Sequence, residues 1–364
     1  MSKGLKSFFS SLSSKKVASP KHVVGIDFGS SSIKIVELLQ KENVLTLKTY
    51  GELQLGPYAN QELGTATRLP VPQRIEALVD VIRESKSTAS SGVMTLPLAS
   101  SFVTVFSLNA TEGEDIAPRV RVEARKYIPV PMTEVALDWS ELPPLGDTPD
   151  TVREVLVAAV QNEANKETHE LLHAIKMDSQ PTEVELFSVL RAVSKAQDES
   201  IAIIDLGAQT SKLYVAHQGV VRKIHRVFAG GQQASEKIAK ALACSFEEAE
   251  NYKRNYTADQ EHATDIKKSM TATFERPLQE FKRVLSQYET RSAQKITRVV
   301  ITGGSASFDD MQTYVSYMLD KKVEQANPFT KIAYPAFMED ALKEIAPTFA
   351  VALGAAMRPF EITQ

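Results

Sequence analysis

Residues 25–34 read Gly-Ile-Asp-Phe-Gly-Ser-Ser-Ser-Ile-Lys, and residues 203–212 read Ile-Ile-Asp-Leu-Gly-Ala-Gln-Thr-Ser-Lys. Laid over one another, Asp27 meets Asp205, Gly29 meets Gly207, Ser32 meets Thr210 and Lys34 meets Lys212. Each copy is an apolar run closed by an aspartate, then a turn of small residues, then a second apolar run. That order reads strand, turn, strand. A repeat with so long a period points to a duplicated domain, not a solenoid of short units. A third apolar strand, residues 299–302, runs into Gly303-Gly304-Ser305.

A turn of small residues lets backbone N–H groups approach an anion without obstruction, and such nests bind phosphate. Ser32 and Thr210 can add hydroxyl donors. Asp27 and Asp205 repel phosphate directly, but each can hold Mg²⁺ through water, and Mg²⁺ bridges phosphate oxygens. Two such hairpins, one per half, would clamp a polyphosphate from both sides. The Gly303-Gly304-Ser305 turn would admit a flat base or a ribose against backbone.

The rest of the chain alternates strands and helices, an α/β pattern. A helix fits residues 72–84, with Ile75, Leu78, Val79 and Ile82 on one stripe. Strands fit 93–98 and 102–108, and a helix fits 115–127, stopped by Pro129. Strands fit 135–139 and 152–160, and helices fit 163–177 and 186–196. Residues 232–288 are mostly helical in pattern, and 346–358 close the chain with an apolar helix.

Composition sets limits. The chain has 364 residues, 43% of them hydrophobic and 24% charged, which is ordinary for globular domains. A single cysteine, Cys244, excludes an internal disulfide framework and a cysteine-based zinc cluster. No run approaches the ~18 apolar residues of a membrane span, and the N-terminus lacks a secretory core. A soluble, intracellular chain is expected. A formal net charge of −3 argues against whole-surface attraction to nucleic acid. The first 22 residues differ from the rest: they carry Lys3, Lys6, Lys15, Lys16 and Lys21 and no acid. Within them Leu5, Phe8, Phe9 and Leu12 share one helical face. A basic amphipathic stretch suits an anionic membrane surface or a partner groove; the bland reading is a floppy tail.

His169-Glu170-Leu171-Leu172-His173 matches the zinc-peptidase helix signature. The apolar face of that helix, Ala164, Thr168, Leu171, Leu172 and Ile175, puts both histidines on the solvent side. A solvated helix face is therefore the preferred reading. Cys244 reads as a buried, inert thiol and Trp139 as core packing. Arg119, Arg121, Arg125 and Lys126 spread over more than one helix face and read as solvated.

The duplicated hairpin with its third glycine turn resembles the actin, sugar-kinase and heat-shock-chaperone ATPase superfamily. Within it the chain resembles the PilM family of type IV pilus assembly and, more distantly, FtsA. The most specific stretches are residues 25–34 and Glu123-Ala124-Arg125-Lys126-Tyr127-Ile128-Pro129. Leu137-Asp138-Trp139 and residues 347–358 match as well. The resemblance implies an actin-like ATPase fold: two duplicated lobes with mixed sheets around one nucleotide cleft. It divides the chain into a tail (1–22), a first lobe (23–197, with an inserted subdomain at 97–162), a second lobe (198–340, with a helical subdomain at about 232–298) and a C-terminal helix (341–364) returning to the first lobe.

By position, the resemblance makes Asp27, Gly29, Ser30, Ser31, Ser32 and Lys34 the first phosphate loop. Asp205, Gly207, Gln209 and Thr210 become the second. Glu250 and Lys253 match the helix that contacts adenosine, and Gly303, Gly304 and Ser305 match the adenosine turn. Asp27 and Asp205 would sit beside Mg²⁺ and its waters, one of them activating the attacking water. The first loop lacks the second glycine of the chaperone-type loop. Gln161 and Glu163 are candidates, by region only, for orienting that water. The implied cofactors are ATP and Mg²⁺, with at most slow hydrolysis. The implied partner is the N-terminal cytoplasmic peptide of the inner-membrane protein PilN, docked beside the inserted subdomain. The pilus motor ATPase and self-association are further implied contacts, and the implied location is cytoplasmic, peripheral to the inner membrane. An FtsA-like filament former and a small-molecule kinase are the alternatives within the superfamily.

Overall fold

The computed structural model describes residues 21–111, 113–146, 149, 151–195 and 200–361. The amphipathic stretch of Leu5, Phe8, Phe9 and Leu12 lies outside the described residues.

The first hairpin forms strands β1 (His22–Phe28) and β2 (Ser32–Lys41), antiparallel, with Asp27 opposite Lys34. Strand β3 (Val44–Gln54) extends the meander. After helix α1 (Val71–Glu84), strand β4 (Ser91–Leu96) pairs parallel with β1. An excursion follows: β5 (Ser101–Asn109), helix α2 (Ala117–Ala124), β6 (Val135–Glu141) and β7 (Val152–Gln161). These strands form their own antiparallel sheet in the order β5-β7-β6. The chain returns through α3 (Asn162–Ala174), the two-residue strands β8 (Asp178–Ser179) and β9 (Glu183–Val184) beside β4, and α4 (Glu185–Val193).

The second hairpin repeats the plan. Strands β10 (Ser200–Leu206), β11 (Ser211–His217) and β12 (Val220–Val227) form an antiparallel meander with Asp205 opposite Lys212. Helices α5 (Gly231–Leu242), α6 (Phe246–Arg254) and α7 (Ala263–Ser292) precede β13 (Arg298–Thr302), which pairs parallel with β10. Helix α8 (Met311–Leu319), strand β14 (Val323–Gln325), and helices α9 (Glu339–Ile345) and α10 (Ala350–Glu361) complete the chain. The sheet orders match: β3-β2-β1-β4-β8 and β12-β11-β10-β13-β14. This is the actin-like architecture of two related lobes, with a small sheet inserted in the first.

Burial explains the strand sequences. All seven residues of β10 are buried, as are Val23, Val24, Gly25 and Ile26 of β1. Central strands covered on both faces read as continuous apolar runs. Helix α1 covers one face of the first sheet through Leu78 and Val81, and α3 adds Leu171 and Leu172. In the second lobe Phe274, Leu278 and Phe281 of α7 pack in one core with Ile204 and Leu213.

Helix α10 packs on β1 and α4 because its residues are small. A Cβ on Gly25 would collide with the backbone of Ala352 and Ala356, and one on Gly354 with the backbone of Ser188. An ion cluster locks the same contact: the buried Arg191 guanidinium donates to both oxygens of buried Glu183, to the Gly354 carbonyl and to Glu361. Arg358 approaches Glu183 at 3.3 Å. Deleting one member of such a cluster strands a buried charge, at about 3–5 kcal/mol.

Local differences from the sequence reading have local causes. Strand β4 ends at Leu96 because Pro97 has no N–H for the ladder. Helix α2 spans only Ala117–Ala124, with Pro118 in its first turn, where proline fits. Helix α4 starts at Glu185 and ends at Val193. Helix α3 stops at Ala174, and Lys176 turns left-handed at φ 58°. Strands β3 and β12 were not anticipated: β12 carries Arg222, Lys223 and Arg226 in a short run. Trp139 is half-buried against the core of the inserted sheet, and Cys244 is half-buried, not sealed.

Candidate nucleotide-binding site

The two hairpin turns have the same backbone geometry. The Gly29 N–H donates to the Ser32 carbonyl at 3.0 Å, and the Gly207 N–H donates to the Thr210 carbonyl at 3.0 Å. In the first turn the Ser30 carbonyl accepts from Thr67 N–H at 2.8 Å and the Ser31 carbonyl from Leu55 N–H at 2.9 Å. The loop after β3 therefore braces the first turn. Lys34 Nζ donates to Ser32 Oγ at 2.6 Å and lies 3.3 Å from Glu52 Oε1. The Ser32 side chain is buried and already engaged by Lys34, whereas Gln209 is exposed at the tip of the second turn.

Between the turns lies a floor of charged groups. Lys212 Nζ donates to Asp205 Oδ2 at 3.0 Å and to Glu185 Oε2 at 2.9 Å. The other oxygen of Glu185 accepts the Leu98 N–H at 2.7 Å. Glu185 is buried at the first position of α4, where the helix dipole favours a carboxylate. Burial pushes the Asp27 carboxyl up to about 6; Lys34 opposes this, while Glu185 and Asp205 add to it. Burial likewise raises Asp205, against the pull of Lys212. Burial would lower Lys212, but Asp205 and then Glu185 hold its ammonium well above the ordinary lysine range. The Asp27 side chain forms no hydrogen bond or ion pair among the described residues. Tyr214, two residues past Lys212, is buried with its hydroxyl unpartnered. A buried orphan hydroxyl calls for a water or a ligand atom.

The third wall comes from the second lobe. Gly231 opens α5; its N–H donates to the Gly207 carbonyl at 2.9 Å, and the Gln232 N–H donates to the Ala208 carbonyl at 2.9 Å. A Cβ on Gly230 would reach the Ala208 oxygen at 2.5 Å, so only glycine permits this approach. Helix α6 starts at a capping box: Ser245 Oγ accepts the Glu248 N–H, and Glu248 Oε2 accepts the Ser245 N–H. One turn on, buried Glu250 accepts from Ser235 Oγ at 2.6 Å, Lys253 Nζ at 2.5 Å and Arg254 Nε at 2.7 Å. Lys253 also donates to the Gly231 carbonyl at 3.1 Å. Gly303 has φ 90°, and a Cβ there would sit 2.5 Å from Asp205 Oδ1. Gly304 is exposed and a Cβ on it would meet nothing within 4 Å, while Ser305 is buried beside Gly231. From the first lobe, Gly64 packs against the Glu250 side chain, and the Ala66 N–H donates to Gln232 Oε1 at 3.0 Å.

The structure thus brings both hairpins, the glycine turn and the Glu250–Lys253 wall to one cleft. Sequence reasoning missed Glu185, Gly230, Gly231, Arg254 and the Gly64–Ala66 strap. It quoted Lys212 in the repeat and assigned it nothing. Glu163, offered by region, is exposed on the first turn of α3, and Gln161 ends β7. His169 and His173 are exposed, and His169 Nδ1 lies 2.7 Å from Ser179 Oγ. Among the described residues no group of three or more histidine, cysteine or acidic side chains is arranged to hold a metal ion directly.

The residues of the cleft fit a nucleoside polyphosphate. Backbone turns face it from both lobes, glycines stand where a Cβ would intrude, and an orphan hydroxyl lies below. They also fit Mg²⁺ held through water, since the half-buried Asp27 side chain makes no hydrogen bond or ion pair among the described residues.

Comparison with known proteins gives the family. A family model described as type IV pilus assembly protein PilM matches residues 25–360. The chain belongs to the PilM family. It is accordingly an actin-like protein of type IV pilus assembly. Among solved structures, a PilM–PilN type IV pilus biogenesis complex is 23% identical with a TM-score of 0.76, covering 93% of this chain and 98% of that one. The ethanolamine utilization protein EutJ from Carboxydothermus hydrogenoformans is 14% identical, TM-score 0.53, covering 94% and 91%. MreB5 of Spiroplasma citri bound to ADP is 10% identical, TM-score 0.54, covering 95% and 97%. These likenesses establish that the PilM-family chain has the actin-like fold.

Proposed function

We propose that this PilM-family chain binds ATP in the cleft between its lobes. Nucleotide occupancy would set how the lobes close, and through them the groove beside the inserted sheet. That groove would take the N-terminal cytoplasmic peptide of a PilN-type inner-membrane protein. The observation that carries the reading is the matched pair of turns at Gly29 and Gly207, with Asp27 of the first close enough to Asp205 and Glu185 to feel their charges.

Each group has a task that its position supports. The amides at the tips of the two turns would face the phosphates, and the first turn of α5 holds the second hairpin turn in place through the Gly231 and Gln232 amides. Lys34 and Lys212 supply positive charge. Gly231, Ser305, Lys253 and Glu250 line the nucleoside end, with Glu250 able to accept from ribose hydroxyls. Asp27 is placed to hold Mg²⁺ through its waters. Mg²⁺, when bound, neutralises phosphate charge. Asp27 is the carboxylate left free to order an attacking water, because Lys212 engages both Asp205 and Glu185.

Ligand binding across two lobes favours the closed state by its differential affinity. Beside the inserted sheet, Val122 of α2 and Tyr127 just past that helix are exposed, and Tyr127 stacks on Phe106 of β5 at 5.4 Å. Exposed apolar side chains at this edge suit a peptide with apolar anchors. Among the described residues no helix is long and apolar enough to cross a membrane. Attachment to the inner membrane would then run through the partner peptide.

The test is binding of a fluorescent PilN-type N-terminal peptide with and without ATP. The proposal expects peptide affinity to change severalfold on adding ATP, and ATP affinity to change by the same factor on adding peptide, as linkage requires. Peptide affinity indifferent to saturating ATP would remove the regulatory part of the reading.

A further inference from the structure

The two hairpins are alike in backbone and unlike in what their lysines do. Lys34 and Lys212 occupy the same register, each opposite its aspartate. Lys34 stays within its own lobe, on Ser32 and Glu52. Lys212 reaches across the floor of the cleft to the other lobe, and joins Asp205 of β10 to Glu185 of α4 at 3.0 and 2.9 Å. Both carboxylates are buried. An ammonium has three donors. Two are used here, and the third is left for an oxygen above the floor.

We propose that Lys212 is a resident cation of the nucleotide site. It bridges Asp205 and Glu185 and offsets one of their two negative charges, so that no divalent metal is needed between them and Mg²⁺ is left only the place beside Asp27. The inference rests on the nucleotide reading above. The physical argument is one of charge. Phosphates cannot approach buried carboxylates unless a cation lies between them. In a site of three acidic groups that cation is ordinarily Mg²⁺ with its water shell. Here two of the three, Asp205 and Glu185, share one cation covalently attached to β11, which offsets one of their two charges. Only Asp27 remains for a metal to serve. The same ammonium ties the lobes together before any ligand arrives.

The test uses the full chain and two variants. Lys212→Met removes the charge at similar length, and Lys212→Gln keeps a donor in case the first fails to fold. ATP affinity is measured calorimetrically in excess Mg²⁺ and in EDTA. The loss of affinity in EDTA is expected to be at least about tenfold greater in the variants than in wild type. Melting without nucleotide gives an independent arm. Mg²⁺ should leave the wild-type melting temperature in place and raise that of the variants by about 2 °C or more, because the metal then fills the vacated position. Variants that lose no more affinity in EDTA than wild type does overturn the proposal. So do variants whose melting ignores Mg²⁺. A wild type that binds no ATP in either buffer, with variants alone stabilised by Mg²⁺, keeps the resident cation and refutes the nucleotide reading.

Discussion

Asp27 is held in a place that costs the fold something. Its carboxyl is raised from 3.8 to about 6, so the unfolded chain releases that proton more readily than the native one. Stability from this group is therefore undiminished below pH ~3.8, falls as pH rises through the interval, and is fully lost above about 6. Asp27→Asn should be more stable than wild type at pH 7, by on the order of 2 kcal/mol, and indistinguishable near pH 3.5. Denaturant melts at the two pH values check this; equal stability at pH 7 would mean that the carboxylate is solvated and free of strain. A destabilising charge kept in a cleft is a mark of function more than of folding. Residues of this kind were partly legible in the sequence. Asp27, Gly29, Asp205 and Gly207 could be read because strand-turn-strand chemistry is local. Glu185 could not: its partners are the Leu98 amide and Lys212, which only the packed lobes bring to it. Its one local signal was a carboxylate at the first position of a helix, and the helix was placed one residue late.

At the scale of elements, the walls of the cleft depend on where helices begin. Helix α6 carries Glu250, Lys253 and Arg254, and its start is fixed by the Ser245–Glu248 box. Ser245→Ala should cost about 1 kcal/mol of stability. Because the cap orients the first turn, nucleotide affinity should fall with it, which calorimetry of the variant would reveal. Helix α5 begins at a glycine pair for a different reason: its first turn must lie against the Gly207 and Ala208 carbonyls. That demand comes from a contact with another strand, so Gly230 and Gly231 carried no legible meaning in the sequence. Strands β1, β10 and β13 were legible, since fully buried strands are continuous apolar runs. Strand β12 was not, because a strand with four basic or histidine side chains among its eight residues resembles a loop.

The whole molecule is a duplication closed upon itself. Its sheets share one strand order, and contacts cross the cleft at three levels: Gly64 and Ala66 against Glu250 and Gln232 at one end, Lys212 to Glu185 on the floor, and the Pro347 carbonyl accepting from Thr302 Oγ1 and the Gly303 amide at the other. The repeat announced the two lobes in the sequence; the strap and the floor bridge are products of lobe packing and were silent there. The account stands on a nucleotide entering between these levels, and Gly304 offers a clean way to ask. A side chain there meets nothing in the protein within 4 Å, yet it would project into the space the nucleoside needs. The decisive measurement is calorimetric titration of ATP onto wild type and Gly304→Tyr, with melting temperatures recorded beside it. A nucleotide seated at that turn predicts binding by wild type, at least a roughly tenfold loss in the variant, and unchanged melting without ligand. A Gly304→Tyr protein that binds ATP as wild type does would place the nucleotide elsewhere and contradict it.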